Sequence, residues 1–343
     1  MIKKKFDIQG SRVDYFFGAR LKELSDVCDK RSTILVTDEN VFAAHSNRFK
    51  GWQTIVLKAG EANKQQWAID SLLAQLMERE ADRSFTLVGI GGGVVTDMVG
   101  YAAAVYMRGI RCGFVPTTLL AMVDAAIGGK NGVDAGIYKN LVGTIRQPAF
   151  LLYDTSLLAT LPEAEWQHGF AEIIKHAAIK KLSMFKELQA HDLQYYRRKR
   201  ASLEALIQQN ALLKTKVVQA DPFEKADRKL LNFGHTLGHA IENDTGLAHG
   251  QAVAVGMVYA AHISQQLLGF RQTLSLVDCI EQYGLPTHAR FDMAKALQNM
   301  RLDKKRERQA MHFVLLEKLG KASVQLVDFS QLENILFSLD TKA

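Results

Sequence analysis

The sequence predicts a fold in two parts: an α/β region built on a parallel sheet, then an all-helical region. Short β-branched runs alternate with helical patterns over the first half of the chain, which is typical of strands joined by helices. From about residue 160, helical periodicity replaces this alternation. Because 343 residues exceed one minimal core, we predict two domains, over 1–155 and 156–343.

Local patterns predict the individual elements in chain order. Residues 66–80 place their aliphatic side chains on one face, as an amphipathic helix requires. Strand patterns of the first region cover 33–37, 53–57, 85–90, 112–115 and 151–155. Helical patterns of the second region cover 163–180, 202–220, 231–243, 249–268, 273–283 and 291–300, with a strand pair over 312–317 and 323–328.

The composition is that of an ordinary globular protein, with 48% hydrophobic and 23% charged residues. A net charge of +7 suits nucleic acid, an anionic membrane or an anionic small ligand. The densest basic run, 197–200, leads into a helical pattern, and we interpret it as a solvated helix face. The sequence shows no aromatic-and-basic stacking motif, so we predict no nucleic-acid partner.

Residue usage also favours a reducing compartment. The N-terminus is basic but lacks the apolar core of a secretory signal, and the apolar stretches fall short of the roughly 20 residues that a bilayer requires. Cys28, Cys112 and Cys279 lie far apart, which favours neither a disulfide framework nor a CxxC metal site. We predict a cytoplasmic protein with no membrane partner.

A glycine-rich turn over 88–97, VGIGGGVVTD, follows a strand and leads into a helix. Such a turn lets the backbone approach a pyrophosphate, and the helix N-terminus supplies N–H groups and positive dipole character. Its order differs from GxGxxG, so glycines that only permit tight packing of helix on sheet explain it equally well. The turn is therefore interpreted either as a dinucleotide site or as a packing contact between helix and sheet.

Three histidines close in sequence favour a metal site. His235 and His239 lie one helical turn apart, and His249 follows within fifteen residues. Imidazoles joined by a carboxylate form the usual open zinc site, and Glu172 is an acidic residue in an otherwise apolar helix, which is costly to bury unless paired. Spacing alone favours His235 with His239 as the ligand pair and leaves His249 undecided. A single buried histidine is more often a hydrogen-bonded core residue.

Cations among small residues indicate an anionic ligand. Ammonium groups in glycine-rich loops suit a phosphate or carboxylate, although solvation explains any one of them. Lys175 lies three residues after Glu172, on the same helix face. The loop residues are Arg108, Asp124, Lys130, Lys139, Asn140 and Arg146. Further basic residues follow at Lys214, at Arg228 and within 303–305.

Six segments together resemble, in order and spacing, the successive motifs of the 3-dehydroquinate synthase family, and the resemblance covers about 33–318. It implies a Rossmann-like N-terminal NAD domain, an all-α C-terminal domain and a cleft between them. The segments are GGGVVTDMVGYAAAVYMRG, VPTTLLAMVDAAIGGKNGV, KNLVGTIRQP, TLPEAEWQHGFAEIIKH, LLNFGHTLGHAIE and LAHGQAVAVGM.

The resemblance implies a reaction of the shikimate pathway of aromatic amino acid biosynthesis. A homodimeric enzyme with NAD and zinc, or cobalt in its place, would convert 3-deoxy-D-arabino-heptulosonate 7-phosphate to 3-dehydroquinate and phosphate. The steps are transient oxidation by NAD, phosphate elimination, re-reduction and intramolecular aldol closure. Alternatives are a cyclase acting on sedoheptulose 7-phosphate or an amino analogue, and a metal-dependent polyol dehydrogenase, which usually carries Asp where Glu172 stands.

The family pattern also implies roles for particular residues. The metal ligands fall on Glu172, His235 and His249, which makes His239 a neighbour with a role in proton transfer or on the phosphate side. NAD contacts fall on Asp38, Asn40, Glu61, Lys64, Gly93, Val94, Val95, Thr96, Asp97, Thr117, Thr118, Lys130, Lys139, Leu157, Leu158, Ala159 and Thr160. Substrate contacts fall on Asp124, Lys130, Asn140, Lys175, Lys214, Arg228, Asn232, His239 and Lys304, and Arg108 contacts the phosphate bound to the partner subunit.

The chain departs from the family pattern at three places. Gln251 replaces a carboxylate two residues after His249, Asn131 and Asp134 replace Thr and Asn, and the insertion between the two histidine ligands is slightly shorter. We expect Gln251 to change a hydrogen bond around the metal ligands and to weaken metal affinity without abolishing it.

Overall fold

The computed structural model describes residues 1–136, 138–302, 306–307 and 310–340. The chain forms two compact units. Unit 1 is Met1–Glu165 with Arg200–Pro222, and unit 2 is Trp166–Lys199 with Phe223–Ala343.

This division differs from the single break predicted after residue 155. The helix over Arg200–Ala220 belongs to unit 1 because its buried face is bound there. The Thr215 hydroxyl donates a hydrogen bond to the Tyr15 hydroxyl at 2.9 Å, with both groups buried. Helical periodicity shows that a helix forms, but it does not show which core the helix covers.

The strands of unit 1 form a seven-stranded sheet and a separate hairpin. The strands are β1 (Ile2–Ile8), β2 (Ser11–Phe17), β3 (Thr33–Asp38), β4 (Gln53–Leu57), β5 (Thr86–Gly91), β6 (Arg111–Pro116), β7 (Lys130–Ala135), β8 (Tyr138–Ile145) and β9 (Phe150–Tyr153). The sheet order is β1-β2-β9-β6-β5-β3-β4, in which only β1 is antiparallel to its neighbour. The hairpin pairs β7 with β8. The five predicted strands are confirmed within two residues at each end, whereas β1, β2, β7 and β8 were not predicted.

The helices extend through both units. They are α1 (Glu39–His45), α2 (Gln66–Glu78), α3 (Gly93–Val105), α4 (Glu163–Lys180), α5 (Leu182–Ala190), α6 (Leu193–Arg198), α7 (Arg200–Ala220), α8 (His235–Thr245), α9 (His249–Leu268), α10 (Thr273–Gln282), α11 (Met293–Leu302) and α12 (Phe329–Asp340). The predicted helix over 231–243 begins later than expected, because Asp227–Asn232 forms a separate 3-10 helix and Gly234 takes a left-handed conformation (φ 79°) before α8.

Unit 2 is helical apart from a small antiparallel sheet. Its strands are β10 (Arg306–Glu307), β11 (Ala310–Lys318) and β12 (Lys321–Asp328). The predicted strand pair is therefore confirmed as β11 and β12. Helices α5, α6 and α12 were not predicted.

Three features concern the predictions about partners and compartment: the basic run, the cysteines and the apolar character of the helices. The basic run over 197–200 is exposed where α6 ends and α7 begins, and the Arg197 guanidinium lies 5.9 Å from the centre of the Trp166 ring. All three cysteines are buried and free. Within the described part of the chain, no helix combines the length and apolar character needed to cross a membrane.

Candidate functional site

Except for Lys130 and Lys139 of the β7–β8 hairpin, the residues predicted to contact NAD lie beyond the carboxyl ends of parallel strands in unit 1. Ligands of open α/β sheets bind at this edge, at the point where the strand order reverses. The reversal here falls between β3 and β5, because the chain places β4 on one side of β3 and β5 on the other. Asp38 and Asn40 lie at the end of β3, Glu61 and Lys64 after β4, Gly93 to Asp97 after β5, Thr117 and Thr118 after β6, and Leu157 to Thr160 after β9.

The glycine-rich turn combines the two interpretations that its sequence left open. A Cβ on Gly91 would lie 2.5 Å from Val95, and one on Gly89 would lie 3.2 Å from Val99, so these glycines permit α3 to pack on β5. The helix itself begins at Gly93, directly beyond the strand. Its first N–H groups have no partner within the helix and are placed at the edge where the strand order reverses.

A buried lysine connects three elements near this edge. Lys64 is 3% exposed, and its Nζ lies 2.6 Å from Oδ2 of Asp97 and 2.6 Å from Oδ1 of Asn140. Burial lowers the pKa of Lys64, but the charges of Asp97 and Glu61 outweigh burial and raise it. The ammonium therefore stays charged, and Lys64 holds α3 and the β7–β8 hairpin together.

Two of the departures from the family pattern support this hairpin. Asn131 donates hydrogen bonds to the carbonyl oxygens of Gly129 (2.8 Å) and Arg146 (2.9 Å). Asp134 accepts a hydrogen bond from the backbone N–H of Asn140 at 2.8 Å, and Asn140 has a positive φ of 52°. Both departures thus act on backbone geometry, and Asp134 fixes the strained residue that meets Lys64.

The other predicted cations of unit 1 lie in three kinds of environment. Lys214 is 7% exposed, and its Nζ contacts Oδ1 (2.7 Å) and the carbonyl oxygen (2.8 Å) of Asp124, which lies in a π-helical turn. Lys130, Lys139 and Arg108 are exposed, and Arg108 has a φ of 63°. Arg146, in contrast, has a structural role, since its guanidinium donates to the carbonyl oxygens of Ala103 and Ile110, each at 2.8 Å.

In unit 2, one carboxylate and two imidazoles come together from three helices. Glu172 on α4 is 1% exposed. Its Oε1 lies 3.5 Å from Nε2 of His235 on α8 and 3.9 Å from Nε2 of His249 on α9. The three ligand atoms lie within 4.8 Å of one another, as a single metal ion requires.

Glycines allow α4, α8 and α9 to approach closely enough for the three ligand atoms to meet. A Cβ on Gly234 would lie 2.8 Å from the carbonyl oxygen of Val253, and one on Gly256 would collide with the carbonyl oxygen of Gly234, so α8 and α9 touch backbone to backbone. A Cβ on Gly250 would lie 2.6 Å from Cα of His168, one turn before Glu172 on α4. These glycines, which lie close to His235 and His249 in sequence, therefore permit the helix packing that forms the site.

The orientation of both imidazoles suits a metal ion. Nδ1 of His235 lies 3.2 Å from the carbonyl oxygen of Phe233, and Nδ1 of His249 lies 3.4 Å from Oε2 of Glu242. Each ring therefore turns Nε2 toward Glu172, whose Oε1 is buried and receives no hydrogen bond from the described residues. Burial alone lowers the pKa of His249, but the bond to Glu242 and the charge of Glu172 raise it.

His239 lies beside this group rather than within it. Its ring centre is 5.3 Å from that of His235 and 5.9 Å from that of His249. It belongs to a second cluster, with Glu242 and His249, whose ligand atoms also lie within 4.8 Å of one another. The structure thus brings together the set implied by the family pattern and does not favour the pair chosen from spacing, while the ligand assignment itself stays a prediction.

Among the further predicted residues of unit 2, Lys175 and Arg228 are buried. Nζ of Lys175, 1% exposed, forms an ion pair with Oε2 of Glu172. Arg228 is 3% exposed, and the Asn232 amide donates to Oε1 of Glu224 at 2.5 Å. Lys304 lies outside the described residues.

Comparison with known proteins decides the family. Residues 54–168 match the N-terminal domain of 3-dehydroquinate synthase, and residues 169–306 match its C-terminal domain. The chain belongs to the 3-dehydroquinate synthase family. The enzyme of that name from Halalkalibacterium halodurans is 36% identical over 318 residues, which cover 88% of this chain and 87% of the relative. The one from Halorhodospira halophila is 39% identical over 304 residues, 85% of each chain.

Solved structures agree with this family on the fold. A 2-epi-5-epi-valiolone synthase from Streptomyces hygroscopicus superposes with a TM-score of 0.87 at 24% identity and covers 99% of this chain and 98% of its own. A 2-deoxy-scyllo-inosose synthase gives a TM-score of 0.85 at 24% identity and covers 98% and 99%. The predicted family and fold class are confirmed.

The sequence assigned no role to Glu224 or Glu242 and identified Asp134 only as a departure from the family pattern, whereas the structure places all three beside predicted residues. Glu224 and Asp134 contact Asn232 and Asn140 through turns that no periodicity describes. Glu242 could have been found, because it lies three residues after His239 and seven after His235 and so shares their helix face.

Proposed function

We propose that this chain is a 3-dehydroquinate synthase that converts 3-deoxy-D-arabino-heptulosonate 7-phosphate to 3-dehydroquinate and phosphate. The observation that carries the proposal is the convergence of Glu172, His235 and His249 on one point beside the buried ammonium of Lys175. In a member of this family, that arrangement supports a metal site beside an ammonium group, which suits a substrate that bears phosphate and carboxylate groups.

The residues present fit a metal ion and a dinucleotide. The unbonded, buried Oε1 of Glu172 and two imidazole Nε2 atoms are the donor set that zinc prefers. In unit 1 the Thr117 hydroxyl is buried with no hydrogen-bond partner among the described residues, at the edge where a dinucleotide binds. The two cyclases that share the fold were solved with NAD+ and with Zn2+ or Co2+, and we assign NAD and zinc, or cobalt in its place, to this chain.

When bound, NAD would supply a reversible hydride acceptor and zinc a Lewis acid. The chain's own residues would bind and orient the substrate. Lys175 and Arg228, both buried, offer positive charge where a developing negative charge is poorly screened by water. His239, beside the proposed metal ligands, would hold or move a proton, as imidazole does near neutral pH. The family pattern also assigns substrate contacts to Lys130, Asn140, Asp124 and Lys214 of unit 1.

We further propose a cytoplasmic homodimer in which Arg108 contacts the phosphate bound to the partner subunit. Arg108 is exposed, in a turn whose residues 107 to 109 all have positive φ. Sedimentation of the purified protein tests this assembly, and a monomer at micromolar concentration would refute it.

Product analysis tests the proposed reaction. Enzyme with one equivalent of NAD+ should convert many equivalents of the heptulosonate phosphate to 3-dehydroquinate and phosphate without accumulating NADH, since the hydride is returned in each turnover. Net NADH formation equal to product would indicate a polyol dehydrogenase instead.

Substrate discrimination tests the assignment among cyclases. A site built around a carboxylate would lose a charge-assisted contact when the substrate lacks that group. Arg228→Ala should lower kcat/KM for the heptulosonate phosphate by about ten- to hundredfold, which corresponds to roughly 1.5–3 kcal/mol. Wild-type enzyme that cyclised sedoheptulose 7-phosphate equally well would overturn the assignment.

A further inference from the structure

The two imidazoles of the proposed metal site are held from behind in different ways. His235 is held by a backbone carbonyl two residues before it. His249 is held by a side chain from another helix, since its Nδ1 lies 3.4 Å from Oε2 of Glu242, which is 8% exposed on α8. A carboxylate in this position can hold the ring from behind and accept its second N–H.

We propose that Glu242 is a positioning residue for the metal site, which accepts a hydrogen bond from Nδ1–H of His249 and so leaves Nε2 free to bind the ion. This inference rests on the proposed function, because it assumes that His249 is a ligand. Histidine ligands commonly donate their second ring N–H to a carboxylate or carbonyl, which fixes the tautomer and the ring orientation. A fixed ring matters here because Nε2 of His249 is the more distant of the two nitrogens from Glu172, 3.9 Å against 3.5 Å for His235.

The charges around the site support the same role. Lys175 forms an ion pair with Glu172, so that carboxylate is already shared with a cation when a metal ion binds. Glu242 adds a second carboxylate, which lies behind the His249 ring. Because buried charge is costly in proportion to what remains uncompensated, a carboxylate one imidazole away from the ion favours its binding.

Position 251 does not supply this carboxylate. The family usually has an acidic residue there, and the sequence predicted that Gln251 would change a hydrogen bond around the metal ligands. In the structure, Oε1 of Gln251 instead accepts a hydrogen bond from the backbone N–H of Ala248 at 3.3 Å and caps the start of α9. Gln251 and Glu242 therefore form a matched pair for experiment: both flank His249, and only Glu242 contacts its ring.

A competing role for Glu242 is direct ligation. Glu242, His239 and His249 form the second cluster whose ligand atoms lie within 4.8 Å of one another. A ligand and a positioning residue differ in the size of the effect: removing a ligand abolishes stoichiometric binding, whereas removing an outer hydrogen-bond partner costs about ten- to hundredfold in metal affinity.

The test is zinc affinity, measured by competition with a chelator on wild type, Glu242→Met, Glu242→Gln, Gln251→Glu and Glu172→Gln. Glu242→Met keeps the volume and removes the acceptor, so its zinc Kd should rise by about ten- to hundredfold at unchanged stoichiometry. Glu242→Gln keeps an oxygen acceptor and should recover most of the affinity. Gln251→Glu should bind zinc as wild type does, and Glu172→Gln should lose stoichiometric zinc.

The outcomes separate the claims. Wild-type affinity in Glu242→Met would overturn the inference, and so would a loss of stoichiometric zinc equal to that of Glu172→Gln, which would make Glu242 a ligand. Failure of wild type to bind zinc would refute the proposed metal site itself. If Glu242→Met does not fold, NMR of the zinc-loaded wild type decides, because the inference requires the proton of His249 on Nδ1, and a proton on Nε2 would contradict it.

Discussion

The two candidate sites of this molecule are built by different means. In unit 1, predicted ligand groups follow the ends of five parallel strands, so each motif that comes directly after a strand marks a part of the site. In unit 2, three helices that are separated in sequence each contribute one member of the candidate metal cluster. A site at strand ends can therefore be located from motif order, whereas a site between helix faces depends on which helices pack together.

Each site contains a buried lysine paired with a carboxylate, and these pairs differ in burial. The side chains of Lys175 and Glu172 are 2% and 1% exposed, whereas those of Lys64 and Asp97 are 4% and 17% exposed. Lys64 also has a hydrogen bond to Asn140. The pair of unit 2 is thus the more dependent on its two members, because water reaches neither of them.

The largest expected effect follows from breaking that pair. Lys175→Met should lower the free energy of unfolding of the metal-free protein by about 3–5 kcal/mol, because it leaves Glu172 as an uncompensated buried charge. Lys64→Met should cost less, about 1–3 kcal/mol, because Asp97 is partly solvated. Chemical denaturation of the two variants measures both values.

A double substitution separates the effect of the buried charge from that of lost packing. The double substitution Glu172→Gln with Lys175→Met should regain much of the lost stability, since no charge then remains buried. A larger loss in Lys64→Met than in Lys175→Met would reverse the comparison of the two pairs.

The next effect concerns glycines that permit close packing. A Cβ on Gly256 of α9 would collide with the backbone of α8, whereas one on Gly100 of α3 would displace the Asn131 side chain from its hydrogen bonds to Gly129 and Arg146. Gly256→Ala should therefore destabilise the protein by about 1–3 kcal/mol and weaken zinc binding, whereas Gly100→Ala should disturb the hairpin of unit 1 and leave zinc binding unchanged. An uncrowded helix glycine would instead gain about 1 kcal/mol from alanine, so thermal unfolding of Gly256→Ala that showed a gain would contradict the close contact of the helices.

The smallest effect concerns the hairpin of unit 1. Asp134→Ala removes the acceptor for the backbone N–H of Asn140 and should weaken NAD binding by about 0.5–1.5 kcal/mol. Asp134→Asn, which restores the usual family residue, keeps an oxygen acceptor and should bind NAD nearly as wild type does. Calorimetric titration with NAD+ measures both, and equal affinity in wild type and Asp134→Ala would show that Asp134 does not position Asn140.

Much of the fold could be predicted because its local patterns are strong. The β-branched run over Gln53–Leu57 was predicted with its exact bounds, and α4 and α9 were predicted likewise. The strand Ile2–Ile8 was missed because three consecutive lysines hide its alternation at the edge of the sheet. The assignment of α7 to unit 1 depends on the buried contact of Thr215 with Tyr15, which the sequence of one helix does not reveal.

The candidate site shows the same limit. The motif order identified the family and placed the glycine-rich turn at the end of a strand. Helical spacing indicated His235 with His239, because it registers only neighbours on one helix. The approach of His249 depends on Gly234 and Gly256, whose role is visible only when α8 and α9 are packed together.

Zinc content of four alanine variants tests the central claim, that the metal is bound across three helices rather than along one. Glu172→Ala, His235→Ala and His249→Ala should each lose stoichiometric zinc by elemental analysis, whereas His239→Ala should keep one zinc per chain and lose about 10²- to 10⁴-fold in rate as a proton-transfer group. A His239→Ala protein without zinc, together with a His249→Ala protein that retains it, would contradict the claim and restore the pair that helical spacing indicated.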